Sequence, residues 1–142
     1  MLEVQYGIRD VMLAMRRCPQ PIIAILHGAA SGGGFAMALA SDIRLGTPDL
    51  RMNAAAIKLG LTGGDMGISY FLPRMIGSSA AAEYLLTGRF LEAQRAMDLE
   101  LLSRIRLHGN QHTGDSPHNL TQSATVECFK PQWEALPLSQ VP

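Results

Sequence analysis

The residues best placed to do chemistry are three consecutive glycines, Gly32–Gly34, set between two apolar segments. The segment before them, IIAIL at 22–26, predicts a buried strand, and the segment after them predicts a buried helix over about 33–41. Glycine triplets cost backbone entropy, so we expect them where the backbone must lie close to another group. Free N–H groups and the helix dipole attract negative charge to a helix start. The pattern therefore predicts a site for an anion or an oxyanion.

Ser31 offers a second chemistry, nucleophilic catalysis. Residues 29–33, AASGG, approximate a nucleophile elbow with alanine in place of the first glycine, and a serine hydrolase would also place an oxyanion donor after the serine. Such an enzyme needs a later histidine and an acid. The later histidines stand at positions 108, 112 and 118, in a region with little periodicity. With Cys128 they do not match zinc-ligand spacings, so we expect no metal site.

Three further side chains could titrate or bind. Asp65 is the sole carboxylate of residues 60–67, GLTGGDMG, where it could serve as a base or cap the helix that starts near Met66. Asp42 ends the buried helix, where its charge opposes the dipole. It therefore needs partners, either backbone N–H groups or Arg44. His27 ends the first strand, and we interpret both His27 and Asp42 as structural.

Five segments in combination resemble the signature of the crotonase (enoyl-CoA hydratase/isomerase) superfamily. They are residues 27–42 with the glycine triplet, 60–67, 72–77 (LPRMIG), 86–89 (LTGR) and 103–105 (SRI). The resemblance covers residues 1–105. It implies an α/β fold, a partial crotonase-like (ClpP/crotonase) core built from ββα units.

The resemblance also implies a substrate and a set of site residues. The substrate would be an acyl-CoA thioester, with CoA as part of the substrate and no other cofactor. The Gly33 N–H would bind the thioester oxygen and stabilise an enolate, Asp65 would be the candidate base, and Ala30, Gly32 and Gly64 would line the substrate site.

Two positions depart from the hydratase pattern. Ala36 and Ala56 stand where hydratases of the family carry their two glutamates. Alanine neither gives nor takes a proton, so addition of water by two carboxylates is not supported. Isomerisation needs only one base. We expect impaired activity from this chain, and the alternative is a non-catalytic acyl-CoA-binding or subunit-interacting remnant.

The rest of the pattern predicts the elements that hold this site. We expect strands at 43–45 and 51–53, two short helical turns over 65–76, a helix capped by Ser78 and closed by Gly88, and helices at 2–17 and from Glu92 to Leu99 or Ser103. Family members have glycine at the position of Glu100. Because glutamate does not adopt a positive φ cheaply, we predict that the last helix runs on there.

Periodicity is lost after Ile105. We therefore divide the chain into a partial crotonase-like domain, 1–105, and an unrelated or disordered tail, 106–142. Compared with the family pattern, the chain is expected to be truncated at both ends.

Composition limits the partners. Twelve basic and twelve acidic residues give a formal net charge of zero, and no basic cluster indicates nucleic-acid binding. No apolar run is long enough for a membrane span.

Two cysteines suit a reducing compartment, so we expect the cytoplasm, or the mitochondrial or peroxisomal matrix in a eukaryote. The resemblance implies a homo-oligomer, a trimer or hexamer.

Overall fold

The computed structural model describes residues 2–61, 64–106 and 124–128. Helices and strands alternate along most of this length. In chain order they are α1 (Leu2–Arg17), β1 (Ile22–Leu26), β2 (Ala29–Ser31), α2 (Gly33–Ala40), β3 (Ile43–Gly46), β4 (Arg51–Asn53), 3₁₀ turns at Ala56–Leu59 and Asp65–Gly67, α3 (Ile68–Ile76), α4 (Ser78–Thr87), β5 (Leu91–Glu92), α5 (Ala93–Asp98), β6 (Arg104–Ile105) and β7 (Ala124–Cys128).

The strands form two small sheets. The first has the order β6-β3-β1-β7, with β1, β3 and β6 parallel and β7 antiparallel to β1. The second has the order β2-β4-β5, with β2 parallel to β4 and β5 antiparallel to β4. Since β1 and β2 lead directly into α2, they make one ββα unit, as the predicted fold class requires.

The core is built around α2. This helix contacts strands of both sheets and also α1 and α3. Its side chains are apolar on every side, as expected for a helix with no exposed face. Five of its eight residues are buried: Phe35, Ala36, Ala38, Leu39 and Ala40. The start of α2 is thus held by packing along the rest of the helix.

Most of the predicted elements are confirmed. The strands predicted at 22–26 and 51–53 have those bounds, and the helix predicted over 33–41 ends at Ala40. The segment 65–76 is divided, but at Gly67, whose φ is 74°, and the second part is one helix that continues through Pro73. Ser78 was predicted to cap α4 and does not, because the N-cap position is Gly77.

The prediction for Glu100 was wrong. Helix α5 ends at Asp98, and Glu100 adopts a left-handed φ of 58°. The two residues after it, Leu101 and Leu102, are 1% and 3% exposed. Burying a leucine stabilises by about 1.5–3 kcal/mol, which exceeds the cost of about 1–2 kcal/mol for one left-handed residue. Burial of the leucines therefore determines the turn.

The tail contributes one strand to the first sheet. Residues 124–128 pair with β1, with Val126 opposite Ala24 and Glu127 opposite Ile23. This pairing does not test whether the tail is unrelated to the domain, so that division stays a prediction. The pairing covers an edge of β1 that would otherwise be unpaired. The rest of the predicted tail after residue 106 lies outside the described residues, and the boundary at 105/106 stays a prediction.

Candidate functional site

The glycine turn forms the start of α2. Gly32 occupies the N-cap position with φ 54°, and its N–H donates to the Asn53 carbonyl at 3.0 Å. The first helical hydrogen bond runs from the Ala36 N–H to the Gly32 carbonyl at 2.9 Å. The N–H groups of Gly33 and Gly34 precede that bond, so the helix supplies them no acceptor. They can donate to an anion placed at the helix start.

Two residues with left-handed backbone lie against this turn. A Cβ built on Gly32 would lie 3.9 Å from the Ala55 Cβ, and one built on Gly33 would lie 3.7 Å from the Met66 Sδ. Ala55 has φ 35° and Met66 has φ 58°. Strained non-glycine residues cluster at functional sites. Sequence reasoning missed both, because neither side chain carries chemistry and neither is glycine.

A cavity of about 750 Å³ opens beside the turn, between α1 and the start of α3. Its walls are mainly apolar. It is lined by Arg9, Met12, Leu13, Arg16, Leu61, Gly64, Met66, Gly67, Tyr70 and Phe71. Such a volume and lining are typical of small-molecule sites. Met66 belongs both to this lining and to the surroundings of Gly33.

The predicted site residues divide into those near the cavity and those in the core. Gly64 lines the cavity, Gly33 lies next to the cavity through Met66, and Gly32 lies against Ala55. Ala30 is buried in β2, so it can meet a ligand only through its backbone. Asp65 opens the 3₁₀ turn Asp65–Gly67, whose N-cap position is Gly64. The side chain of Asp65 lies outside the described part of the structure.

The two alanines at the hydratase positions differ in burial. Ala36 is 0% exposed, within the core packing of α2. Ala56 is half-buried and starts the first 3₁₀ turn. Neither can titrate.

Ser31 lies in β2, and the strand-to-helix apex falls on Gly32. The Ser31 hydroxyl donates to Asn53 Oδ1 at 2.5 Å. A nucleophile elbow would instead place the serine at the apex. His108, His112 and His118 lie outside the described residues. Among the residues the structure does describe, no group of three or more His, Cys, Asp or Glu could hold a metal ion.

Asp42 has the structural role that was predicted for it, with a different cationic partner. Its Oδ2 accepts the Ile22 N–H at 2.8 Å and its Oδ1 accepts Arg16 Nη1 at 3.0 Å. These contacts hold the pKa of Asp42 below its usual value, the backbone hydrogen bond having the largest effect. Of the two predicted kinds of partner, a backbone N–H group is confirmed at Ile22. The charge of Arg44 also lowers the Asp42 pKa, while its guanidinium donates to the carbonyls of Leu101 and Ser41.

His27 lies half-buried at the end of β1. Its charge contributes to the pKa shift of a nearby carboxyl, that of Asp49. The pKa of Asp49 is lowered mainly by a hydrogen bond from the Thr47 side chain and in smaller part by the charge of His27. This placement agrees with a structural interpretation.

The fold and the glycine-turn site together define a class of protein. The family model for enoyl-CoA hydratase/isomerase matches residues 3–108, and the chain belongs to that family. The resemblance to the crotonase superfamily and the predicted fold class are confirmed.

Individual relatives give the same result. The chain is 50% identical over 95 residues to a probable enoyl-CoA hydratase of Mycobacterium tuberculosis, covering 67% of this chain and 33% of the relative. Among solved structures, a probable enoyl-CoA hydratase/isomerase of Mycobacterium abscessus matches with a TM-score of 0.71 at 44% identity, over 73% of this chain and 40% of that one. An enoyl-CoA hydratase of Bacillus anthracis matches with a TM-score of 0.71 at 32% identity, over 74% and 40%.

The chain spans about a third of the length of the curated relatives it matches. It contains the glycine turn and the cavity next to it. Along the helices that the structure describes, none is both long and apolar enough to cross a membrane.

Proposed function

We propose that this chain binds an acyl-CoA thioester and acts as, or derives from, a double-bond isomerase rather than a hydratase. The observation that carries the proposal is the junction at Met66 between the start of α2 and the apolar cavity. A thioester oxygen at the Gly33 N–H and an acyl chain in the cavity would use both features at once. CoA would be part of the substrate, with no separate cofactor.

The isomerase reaction needs one base and one place for negative charge. With a 3-enoyl thioester, the Asp65 carboxylate would take a proton from C2, and the electrons would move into the thioester carbonyl to give a dienolate. The Gly33 N–H would donate to that oxygen. The same carboxyl would return the proton at C4, giving the 2-enoyl isomer. One backbone donor of this kind is worth about 2.7–4 kcal/mol of barrier.

The departures at Ala36 and Ala56 support isomerisation over hydration. Water addition in the hydratases of the family uses a carboxylate at each position, and this chain has methyl groups there. The same observation favours a second candidate, a non-catalytic acyl-CoA-binding or subunit-interacting remnant. Fatty acid metabolism in the cytoplasm, or in the matrix of an organelle, is the setting that either candidate implies.

The proposal extends to self-association as a trimer or hexamer. It is supported by large apolar side chains on the surface, among them Leu59, Leu86 and Tyr70. Surfaces of this kind mark protein contacts when they are contiguous. Sedimentation of the full chain tests it, and a monomer at all concentrations would contradict it.

The central experiment follows proton exchange at the acyl group. The full chain is incubated in D₂O with 3-hexenoyl-CoA, and NMR records both deuterium uptake at C2 and C4 and formation of the 2-enoyl isomer. The isomerase proposal predicts the 2-enoyl isomer in the wild type, with deuterium uptake to the extent that the Asp65 carboxyl exchanges its proton with solvent. It predicts loss of the isomer in Asp65→Asn and Gly33→Pro. Ser79→Asn on α4 serves as the control. Binding without isomerisation would support the remnant, and no binding would contradict both candidates.

A further inference from the structure

Met66 connects the two halves of the proposed site, and the inference drawn from it rests on the proposed function. Its Sδ and Cε would lie 3.7 and 3.9 Å from a Cβ built on Gly33. Of the described side chains that line the cavity, Met66 is the one that comes this close to Gly33. It is half-buried and packs against the core.

The backbone fixes Met66 in this place. Its φ of 58° is left-handed, and the next residue, Gly67, has φ 74°. A Cβ on Gly67 would lie 3.2 Å from the Phe71 ring, so the turn is packed down on α3. A non-glycine residue in this conformation is held there by its surroundings at a cost in free energy. The backbone of Met66 is therefore held in place, and its side chain lies both next to Gly33 and on the wall of the cavity.

We infer that Met66 is a specificity-determining residue that selects acyl groups by their shape at the carbon next to the thioester. An acyl group whose carbonyl oxygen lies at the Gly33 N–H must pass its first carbons along the Met66 side chain to enter the cavity. An unbranched chain can pass, because methionine is flexible and unbranched. A methyl branch at C2 meets the thioether.

The experiment compares two saturated four-carbon thioesters, butyryl-CoA and isobutyryl-CoA, which differ in branching at C2. Calorimetry gives the Kd of each for the full chain. Wild type should bind butyryl-CoA about tenfold more tightly, the usual effect of one methyl group in an apolar site. Met66→Gly should reduce this preference to about twofold or less. Glycine suits the left-handed backbone, so the variant should fold.

Two further variants separate a role in selection from general packing. Met66→Leu keeps the bulk of the side chain and should keep the preference. Met97→Ala removes a half-buried methionine that is not part of the cavity lining, and it should also keep the preference. If Met66→Gly binds both thioesters and still prefers butyryl-CoA as strongly as the wild type does, the role of Met66 is overturned. The proposed function is not affected by that result. Failure of wild type to bind either thioester overturns the proposed function and the selection together.

Discussion

Ser31 and Asn53 are joined side chain to side chain, and the same asparagine holds the glycine turn. Asn53 Oδ1 accepts the Ser31 hydroxyl at 2.5 Å, while its backbone carbonyl accepts the Gly32 N–H at 3.0 Å. Its Nδ2 donates to the Gly88 carbonyl at 3.1 Å. One buried residue, 3% exposed, thus ties the start of α2 to the end of α4.

Replacing Asn53 by alanine should destabilise the fold more than replacing its partner. Asn53→Ala leaves the Gly88 carbonyl without its donor and opens a small cavity, which together should cost about 2–4 kcal/mol. Ser31→Ala removes one hydroxyl and should cost about 1 kcal/mol. Urea unfolding measures both. If Asn53→Ala lowers the free energy of unfolding no more than Ser31→Ala does, the hydrogen bond from Asn53 to Gly88 contributes nothing to stability.

Asp42 should make the protein sensitive to acid. Its pKa is lowered on folding, so its contribution is complete above the ordinary value of about 3.9 and is lost as pH falls through the lower folded value. Because the side chain is 42% exposed, we expect no more than about 1 kcal/mol from the ion pair. The free energy of unfolding, measured between pH 2.5 and 6, should depend less on pH in Asp42→Asn.

Arg16→Met is the matched control for that measurement. It removes the ion pair but leaves the hydrogen bond from the Ile22 N–H, which has the larger effect on the Asp42 pKa. Its pH dependence should therefore lie between those of wild type and Asp42→Asn. If the free energy of unfolding depends on pH in the same way in wild type and Asp42→Asn, Asp42 is not the source of the acid sensitivity.

Glu100→Gly should stabilise the protein. Glycine removes the left-handed strain of about 1–2 kcal/mol, and part of that gain is offset by the greater freedom of glycine in the unfolded chain, about 0.4–1 kcal/mol. A net gain of about 0.5–1 kcal/mol is expected in thermal or urea unfolding. Arg95→Gly, inside α5, should instead lose about 1 kcal/mol. A loss of stability in both variants would show that the Glu100 side chain itself stabilises the folded protein.

The chain should not hydrate crotonyl-CoA, and single substitutions should not make it a hydratase. General acid–base catalysis is commonly worth about 10²–10⁴ in rate, and Ala36 and Ala56 supply none. Ala36→Glu puts an unpaired carboxylate at a fully buried position and should cost about 3–5 kcal/mol. Ala56→Glu, at a half-buried position, should fold. If the unaltered chain removes the ultraviolet absorbance of the conjugated thioester of crotonyl-CoA, the roles given to Ala36 and Ala56 are contradicted.

Removing the tail should expose the edge of β1. Deletion of residues 107–142 takes away β7, and the β1 amides that pair with it should exchange with solvent about fivefold faster, since a net hydrogen bond is worth about 1 kcal/mol. Self-association should also increase. Deletion of residues 129–142 keeps β7 and should leave exchange unchanged. Equal exchange in wild type and the longer deletion would show that the β7 pairing does not protect β1.

Sequence alone identified the elements whose signal is local. A few consecutive residues are enough to predict each of three elements: the apolar strand β1, the glycine turn and the buried helix α2. Their combination with the later glycine segment was specific enough to identify the family. The aspartate at position 42 was also interpreted correctly as structural, because charge at a helix end needs partners.

What the sequence did not reveal depends on contacts between distant residues. Left-handed backbone at Met66 and Glu100 is imposed by packing and has no signature in a non-glycine residue. The cavity needs α1 and α3 to meet, and the register of β7 on β1 joins segments about a hundred residues apart in the chain. Such pairings follow from the whole fold rather than from local pattern.

The partly buried guanidinium of Arg44 has a consequence for how the chain is made. Its Nε donates to the carbonyl of Leu101, 57 residues later, at 2.8 Å. During synthesis the ribosome releases β1, α2 and β3 well before that carbonyl exists. A nascent chain that ends before residue 101 has the cation but lacks this acceptor. Completion of the first sheet is therefore a late event of translation, and premature termination upstream of Leu101 leaves a product for chaperones and proteases.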